Sequence, residues 1–113
     1  QNEEHKRVEF DNAAEGIIGL ESAFGLLGKY LLPQLELSLI IEKIAINPRK
    51  IIGINEATLI EGNIANITLF NPDMEWEFTK QDIKSKSNNT PFIGEKLKGK
   101  ALAIFNNGKF KKC

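Results

Sequence analysis

A long apolar segment at residues 16–32 constrains the fold of this chain more than any other feature. Its large side chains recur every three or four residues, which places them on one helix face. These side chains are Ile17, Leu20, Phe24, Leu27 and Leu31. Gly19, Gly25 and Gly28 interrupt the segment, although each glycine costs about 1 kcal/mol relative to alanine in a helix. Because such glycines mark close approach to another element, we predict a buried, tightly packed helix that ends before Pro33.

A second helical pattern follows at residues 37–46. Asn47 and Pro48 are predicted to end it and to begin one more helical turn, because proline is tolerated in the first turn of a helix. Gly53 then suits the C-cap. From about residue 55 onward, strand patterns replace helical ones. Helices followed by a small antiparallel β unit predict an α+β chain.

The first strand patterns lie between residues 58 and 78. Residues 58–60 are short and β-prone, and residues 64–70 are rich in isoleucine, leucine, threonine and phenylalanine. Residues 71–73, Asn-Pro-Asp, predict a turn. Residues 74–78 alternate apolar and acidic side chains, which predicts a separate half-buried strand.

The rest of the chain is predicted to be a polar loop followed by a hairpin. Residues 79–94 contain lysines without the glycine pattern of a phosphate-binding loop, so we interpret them as solvated. A last substantial strand is predicted over residues 100–105. The Asn107-Gly108 pair is a strong signal for a two-residue hairpin turn.

Composition excludes several classes of function. The chain has 113 residues, enough for one domain, and its net charge is +0. This balance gives no reason to expect a nucleic acid or an anionic membrane as partner. No apolar run is long enough for a membrane span, and the charged first residues argue against a signal peptide. The single cysteine, Cys113, favours a reducing, cytoplasmic location.

His5 and the pair Glu75 and Glu77 are the candidates for metal or catalytic chemistry. His5 is the only histidine and has no partner at ligand spacing, so a solvated loop residue is the favoured interpretation. Glu75 and Glu77 are two residues apart and could form an acid–base pair. However, their alternation with apolar residues favours a solvated strand face.

The stretch from Ala13 to Glu21 is the strongest candidate for a ligand contact. Its small residues, Ala13, Ala14 and Gly16, allow a backbone to lie close to a ligand, and they directly precede a helix. A tight packing turn without a ligand has the same composition. On the local pattern alone the packing turn is the favoured interpretation, because most turns rich in glycine and alanine are structural.

Five segments together resemble the C-terminal end of a dihydroorotase of the amidohydrolase superfamily. The first is Gly-x-x-Gly-Leu-Glu, and the second is Asn-Pro before a short helix. The third is Gly-x-x-Ala-Asn before a strand, the fourth Ser-Lys-Ser-x-Asn-Thr-Pro-Phe-x-Gly, and the fifth Leu-x-Gly-Lys with an Asn-Gly hairpin. They occupy residues 16–21, 47–53, 62–67, 85–94 and 97–108.

The resemblance implies an α+β fragment of a larger enzyme. Residues 1–54 would be the strand-eight loop and last helices of a (β/α)₈ TIM barrel, and residues 55–113 part of a small antiparallel β-sandwich. The parent would be a zinc-dependent hydrolase that interconverts dihydroorotate and N-carbamoyl-L-aspartate in pyrimidine biosynthesis. Its metal ligands would lie in the missing N-terminal barrel. The fragment alone is therefore expected to bind no metal and to be inactive.

Within this chain, the resemblance implies substrate contacts at Glu15 and Gly16, made through backbone groups. The family usually has an aromatic residue where Glu15 stands. That departure leaves room for a related cyclic amidase, such as an allantoinase or hydantoinase. It also leaves room for a non-catalytic homologue that acts as a structural partner of aspartate transcarbamoylase.

The expected partners are the missing barrel of the same protein, a small-molecule substrate and further copies in a homo-oligomer. A free-standing binding module is the remaining hypothesis. The apolar helices argue against it, because large exposed apolar patches usually mark a missing partner. The chain alone is therefore expected to self-associate through these helices.

Overall fold

The computed structural model describes residues 7–13, 16–55 and 58–113. The helices are α1 (Leu20–Tyr30), α2 (Leu37–Ile41), a π-helical segment (Glu42–Ile46) and α3 (Asn47–Ile51), and two short 3₁₀ turns span Phe10–Asn12 and Lys80–Asp82. The strands are β1 (Ile67–Glu77), β2 (Lys96–Asn106) and β3 (Lys109–Lys112). They form one antiparallel sheet in the order β1-β2-β3. The predicted α+β class is confirmed.

Helix α1 begins four residues later than the sequence pattern predicts. Gly16 has a φ of +90°, which an α-helix cannot accommodate, and Gly19 is the N-cap residue with a φ of −149°. The segment 16–19 is therefore a non-helical lead into α1. At the other end, α1 stops at Tyr30, and a turn leads to Pro33.

Two of the three predicted close approaches by glycine are confirmed. A Cβ added at Gly28 would lie 1.8 Å from the carbonyl oxygen of Lys98, and one at Gly25 would lie 2.8 Å from Leu97 Cβ. Both neighbours belong to β2, so α1 packs directly on the middle strand of the sheet. The prediction is wrong for Gly19, where an added Cβ would meet nothing within 4 Å.

The second helical pattern continues through Pro48 instead of ending before it. The π-helical segment Glu42–Ile46 joins α2 to α3. Proline cannot donate to the carbonyl four residues earlier, and its ring crowds that carbonyl. A π-helical turn is one way in which a helix accommodates such a local defect. The predicted cap is confirmed: Gly53 has a φ of +70°, and Ile54 N–H donates to Arg49 O at 2.9 Å.

Strand β1 replaces the two strands and intervening turn that the sequence predicts. Asn71 pairs with Lys100 and Glu75 with Lys98, so three residues of β1 oppose Gly99 alone. The Asn71 side chain accepts a hydrogen bond from Asp73 N–H at 2.9 Å, which forms a local Asx turn. The residues predicted to form a turn thus form a β-bulge within β1, and the chain does not reverse direction there. Residues 58–60 are not a strand.

The hairpin between β2 and β3 is confirmed. Asn107 has a φ of 49° and Gly108 a φ of 73°, the two positive values of a type I′ turn. Strand β2 itself begins at Lys96, four residues before the predicted start.

The core lies between α1 and the paired strands β1 and β2. Phe78 and Leu97 are each 1% exposed, and Phe24 meets Phe70 edge to face at a centroid distance of 5.0 Å. Many large apolar side chains of the helical part nevertheless remain exposed. They include Leu20, Tyr30, Leu35, Leu39, Ile44, Ile46, Ile51 and Ile52. In the described ranges, no helix combines the length and apolar character that crossing a membrane requires.

Candidate functional site

The fold brings together two segments that are far apart in the sequence, residues 16–21 and residues 84–94. Ile18 N–H donates to the backbone carbonyl of Asn89 at 3.0 Å. The side chain of Asn89 returns a bond, with Nδ2 donating to Gly16 O at 2.8 Å. The two partners of this last bond are 73 residues apart along the chain. We call this pair of contacts the Asn89 clasp.

Glu21, in the first turn of α1, provides a second attachment between the same segments. Its Oε1 accepts backbone N–H groups from Lys84 at 3.1 Å and from Ser85 at 2.7 Å. A hydrogen bond from the Ser85 side chain holds the pKa of Glu21 below its usual range, and the two backbone donors add to this effect against the cost of burial. Glu21 Oε2 is buried and accepts no hydrogen bond from any described residue.

The loop that carries Asn89 is also fixed to the sheet at both of its ends. At its start, Thr79 and Asp82 form a reciprocal capping box. At its end, Gly94 N–H donates to Phe78 O at 2.8 Å, and Phe78 N–H donates to Glu95 O at 3.0 Å. Asn89 therefore lies in a segment whose position is set by β1, β2 and α1 together.

Glu95 ties the end of this loop to the last turn of α1. Its carboxylate forms an ion pair with Lys29 and accepts a hydrogen bond from the Tyr30 hydroxyl at 3.1 Å. The Lys29 ammonium, followed by the Tyr30 hydroxyl, lowers the pKa of Glu95. Helix α1 is thus joined to residues 84–95 at both of its ends.

Of the two residues predicted to contact substrate, the structure describes Gly16 but not Glu15. Gly16 is exposed and its φ is +90°, and an added Cβ would meet nothing within 4 Å. This openness is compatible with a backbone that faces a ligand, but also with a solvent-facing turn. Glu15 and the neighbouring Ala14 lie outside the described residues, as does His5.

Sequence reasoning missed the structural roles of Asn89 and Glu21. Both residues belong to the segments on which the resemblance rests, and that was the only available signal. The acidic pair discussed above, Glu75 and Glu77, is exposed on β1, as the solvated-face interpretation predicts.

The described residues do not provide a metal site. No three histidine, cysteine, aspartate or glutamate side chains among them are close enough to hold an ion. The described residues therefore do not fit zinc.

A groove of about 530 Å³ lies elsewhere, between the helical segment 41–49 and the sheet. Its lining is mostly apolar and includes none of the residues of the Asn89 clasp. The lining residues are Phe24, Ile41, Ile44, Ala45, Ile46, Arg49, Asn66, Thr68, Phe70 and Ala101.

The sequence is similar to that of several dihydroorotases. It is 46% identical to the dihydroorotase of Chlorobaculum tepidum over 101 residues, which is 88% of this chain and 23% of that protein. It is 44% identical to the enzyme of Endomicrobium trichonymphae over 109 residues, 94% of this chain and 26% of that protein. The chain thus spans about a quarter of the length of these curated relatives. No protein-family model matches it.

Among solved structures, the chain is similar to one described as the structure of D-hydantoinase. The TM-score is 0.79 at 20% sequence identity, over 96% of this chain and 24% of that one. This similarity concerns the fold alone.

Proposed function

Because this chain belongs to the dihydroorotase family, we propose that it is the C-terminal part of an enzyme that interconverts dihydroorotate and N-carbamoyl-L-aspartate. The observation that carries the proposal is the 46% identity to a dihydroorotase over 88% of this chain. The enzyme would be a cytoplasmic hydrolase of pyrimidine biosynthesis that acts on a cyclic amide.

We propose that residues 1–54 complete a (β/α)₈ barrel and that residues 55–113 belong to an adjoining β-sandwich. Two observations support this division. The fold of D-hydantoinase matches 96% of this chain but extends far beyond it. The helical part also leaves large apolar side chains exposed, such as Leu20 at 90% and Ile51 at 83%, which the remainder of a barrel would cover.

In this proposal, zinc is held by residues upstream of Gln1. This chain contributes the loop that ends at Gly16, which would bind substrate through the backbone groups of Glu15 and Gly16. Gly16 suits this role because it has no side chain to occupy the open space beside it. Backbone N–H groups are good donors to a carboxylate, and dihydroorotate carries one carboxylate while N-carbamoyl-L-aspartate carries two.

Glu15 is the feature that favours a second candidate. A carboxylate beside an anionic substrate is unfavourable unless it turns away from it. A protein with that residue could act on a related but less acidic cyclic amide, as allantoinases and hydantoinases do. It could also be a silent homologue that supports aspartate transcarbamoylase.

The test is to express the full-length parent, measure its zinc content and assay the hydrolysis of dihydroorotate, hydantoin and allantoin. Zinc and preferred turnover of dihydroorotate are expected. Zinc with preferred turnover of hydantoin or allantoin would favour the related amidase. A zinc-free protein without turnover would favour the structural partner.

A variant pair isolates the effect of Glu15. Glu15→Tyr restores the aromatic side chain that the family usually has, and it should lower KM for dihydroorotate. Glu9→Tyr removes an exposed carboxylate from the described segment 7–13 and is the matched control. Equal effects of the two substitutions on KM would show that the net charge of the protein, and not the residue at position 15 of the substrate loop, causes the change.

A further inference from the structure

We propose that Asn89 is a positioning residue for the substrate loop, because its side-chain amide and its backbone carbonyl together fix the backbone at Gly16 and Ile18. This inference rests on the proposed function, since it concerns the loop that would bind the cyclic amide. Asn89 itself would not touch the substrate.

The loop needs an external support because of Gly16. With a φ of +90°, Gly16 occupies a region that other residues avoid, and glycine exchanges freely among several backbone conformations. Nothing packs within 4 Å of the position where its Cβ would be. Local sterics therefore do not select one conformation, and tertiary hydrogen bonds must do so.

The Asn89 clasp supplies these bonds with a defined geometry. The Nδ2–Gly16 O bond of 2.8 Å fixes the direction of the Gly16 carbonyl. Because the peptide unit is planar and trans, the N–H of Ile17 then points the opposite way. No described residue accepts a hydrogen bond from Ile17 N–H, so the clasp presents this donor on the side away from Asn89. The 3.0 Å bond from Ile18 N–H to Asn89 O prevents rotation about the first contact.

Asn89 can act in this way because its own position is rigid. Glu21 holds the preceding loop residues Lys84 and Ser85, and Pro91 restricts the backbone of Thr90. The Thr90 hydroxyl accepts a bond from Phe92 N–H at 3.3 Å. The clasp therefore holds the loop at Gly16 in a fixed position relative to the sheet and α1.

The experiment compares Asn89→Asp with Asn88→Asp in the full-length parent. The first substitution keeps the size of the side chain but replaces the amide donor with a carboxylate, which repels the Gly16 carbonyl. The second makes the same chemical change at the adjacent exposed residue, for which the structure gives no hydrogen bond. Each variant is assayed for KM and kcat with dihydroorotate, for zinc content and for thermal stability.

We expect Asn89→Asp to raise KM about tenfold, the effect of one lost hydrogen bond, with kcat nearly unchanged. Zinc content should stay at the level of the Asn88→Asp control, and thermal stability should fall by no more than the contribution of one hydrogen bond. An unchanged KM in an active Asn89→Asp protein would overturn the inference. So would a loss of kcat with unchanged KM that follows a loss of zinc or stability, because that pattern indicates a merely structural role.

A second measurement does not depend on turnover. Hydrogen exchange of the peptide covering residues 13–18 should be faster in Asn89→Asp than in Asn88→Asp. The new carboxylate repels Gly16 O, and this repulsion weakens the neighbouring backbone bond from Ile18 N–H to the carbonyl of residue 89. If the wild-type parent has no activity but this difference is seen, the proposed function fails and the positioning role stands. If exchange is equal in the two variants, the positioning role fails whatever the activity.

Discussion

Single residues of α1 determine how closely the helix approaches the sheet, and Gly28 is the most restrictive. An alanine Cβ at this position would lie 1.8 Å from Lys98 O, a backbone atom that cannot rotate away. We expect Gly28→Ala to lower the free energy of unfolding by about 3 kcal/mol or more, although alanine is the better helix former. Thermal unfolding of the full-length parent measures this.

Gly19→Ala is the matched control, because an added Cβ there has open space within 4 Å. It should change stability by about 1 kcal/mol or less, the usual range for replacing glycine at an N-cap. Equal losses in the two variants would contradict the close packing of α1 on β2.

Glu21 gives a pH-dependent prediction at the same scale. Its pKa is lowered in the folded state by the Ser85 side chain and by backbone donors, whereas the unfolded value is about 4.3. Above the unfolded-state pKa, the charged carboxylate therefore contributes its full stabilisation to the fold. As the pH falls below that value the contribution decreases, and it is lost as the pH passes through the lower pKa of the folded state. Glu21→Gln should cost about 1 kcal/mol at pH 7.

The cost of Glu21→Gln should begin to shrink as the pH falls below about 4.3, because the carboxylate of the unfolded chain then binds protons, and it should disappear only below the lower pKa of the folded state. Urea unfolding at pH 7 and pH 3.5 measures the difference. Glu75→Gln, at an exposed position on β1, is the control. A cost for Glu21→Gln that does not depend on pH would mean that the charge of Glu21 does not support the attachment.

At the scale of elements, the sequence predicts the helices and turns that are determined by residues close together in the chain. The apolar period predicts α1, and the Asn107-Gly108 pair predicts the β2–β3 turn. The continuity of β1 could not be predicted, because the sequence Asn-Pro-Asp is compatible both with a chain-reversing turn and with a bulge inside a strand. The bulge depends on Gly99 of β2, which has a φ of +96° and lies opposite the extra residues of β1. This pairing joins residues far apart in the sequence, so no local pattern reveals it.

The candidate site is likewise only partly predictable. The motif at residues 16–21 identifies the loop, but the Asn89 clasp depends on a bond between residues 73 positions apart. No periodicity or spacing rule connects Gly16 with Asn89. In the sequence, Glu21 is an ordinary glutamate near the start of a helix. Only the fold shows that its carboxylate accepts hydrogen bonds from the backbone N–H groups of Lys84 and Ser85.

The β2–β3 turn can be tested by substitution at Asn107, whose φ is 49°. Asn107→Val should cost about 1–2 kcal/mol, because a β-branched residue is strained in the left-handed region. Asn107→Gly should be tolerated, since glycine adopts this conformation readily. Thermal unfolding of both variants measures the effect, and a valine variant as stable as the glycine variant would contradict the type I′ turn.

For the molecule as a whole, the main feature is the apolar surface that the helical part leaves exposed. Ile51 and Ile52 are 83% and 66% exposed at the end of the helical part. We expect the isolated chain to self-associate as its concentration rises, because association removes such surface from water. Sedimentation velocity over a concentration series measures this, and a monomer at high concentration would contradict it.

A charge substitution locates the associating surface. Ile51→Glu should shift the isolated chain toward the monomer, because the charged group opposes burial. Lys43→Glu adds a negative charge at an exposed polar position of the same helical part and should leave association unchanged. Equal dissociation in both variants would indicate that net charge, and not this apolar surface, controls assembly.

The close packing of α1 on β2 also bears on how this chain could be divided. A break of the polypeptide between residues 54 and 55 would separate Gly25 and Gly28 from the Leu97 and Lys98 backbone on which they pack. Each piece would retain only one side of a shared core. Two such pieces should be insoluble when made separately and should reconstitute a complex when produced together, held by the helix–strand contact, the Asn89 clasp and the attachments of Glu21 and Glu95.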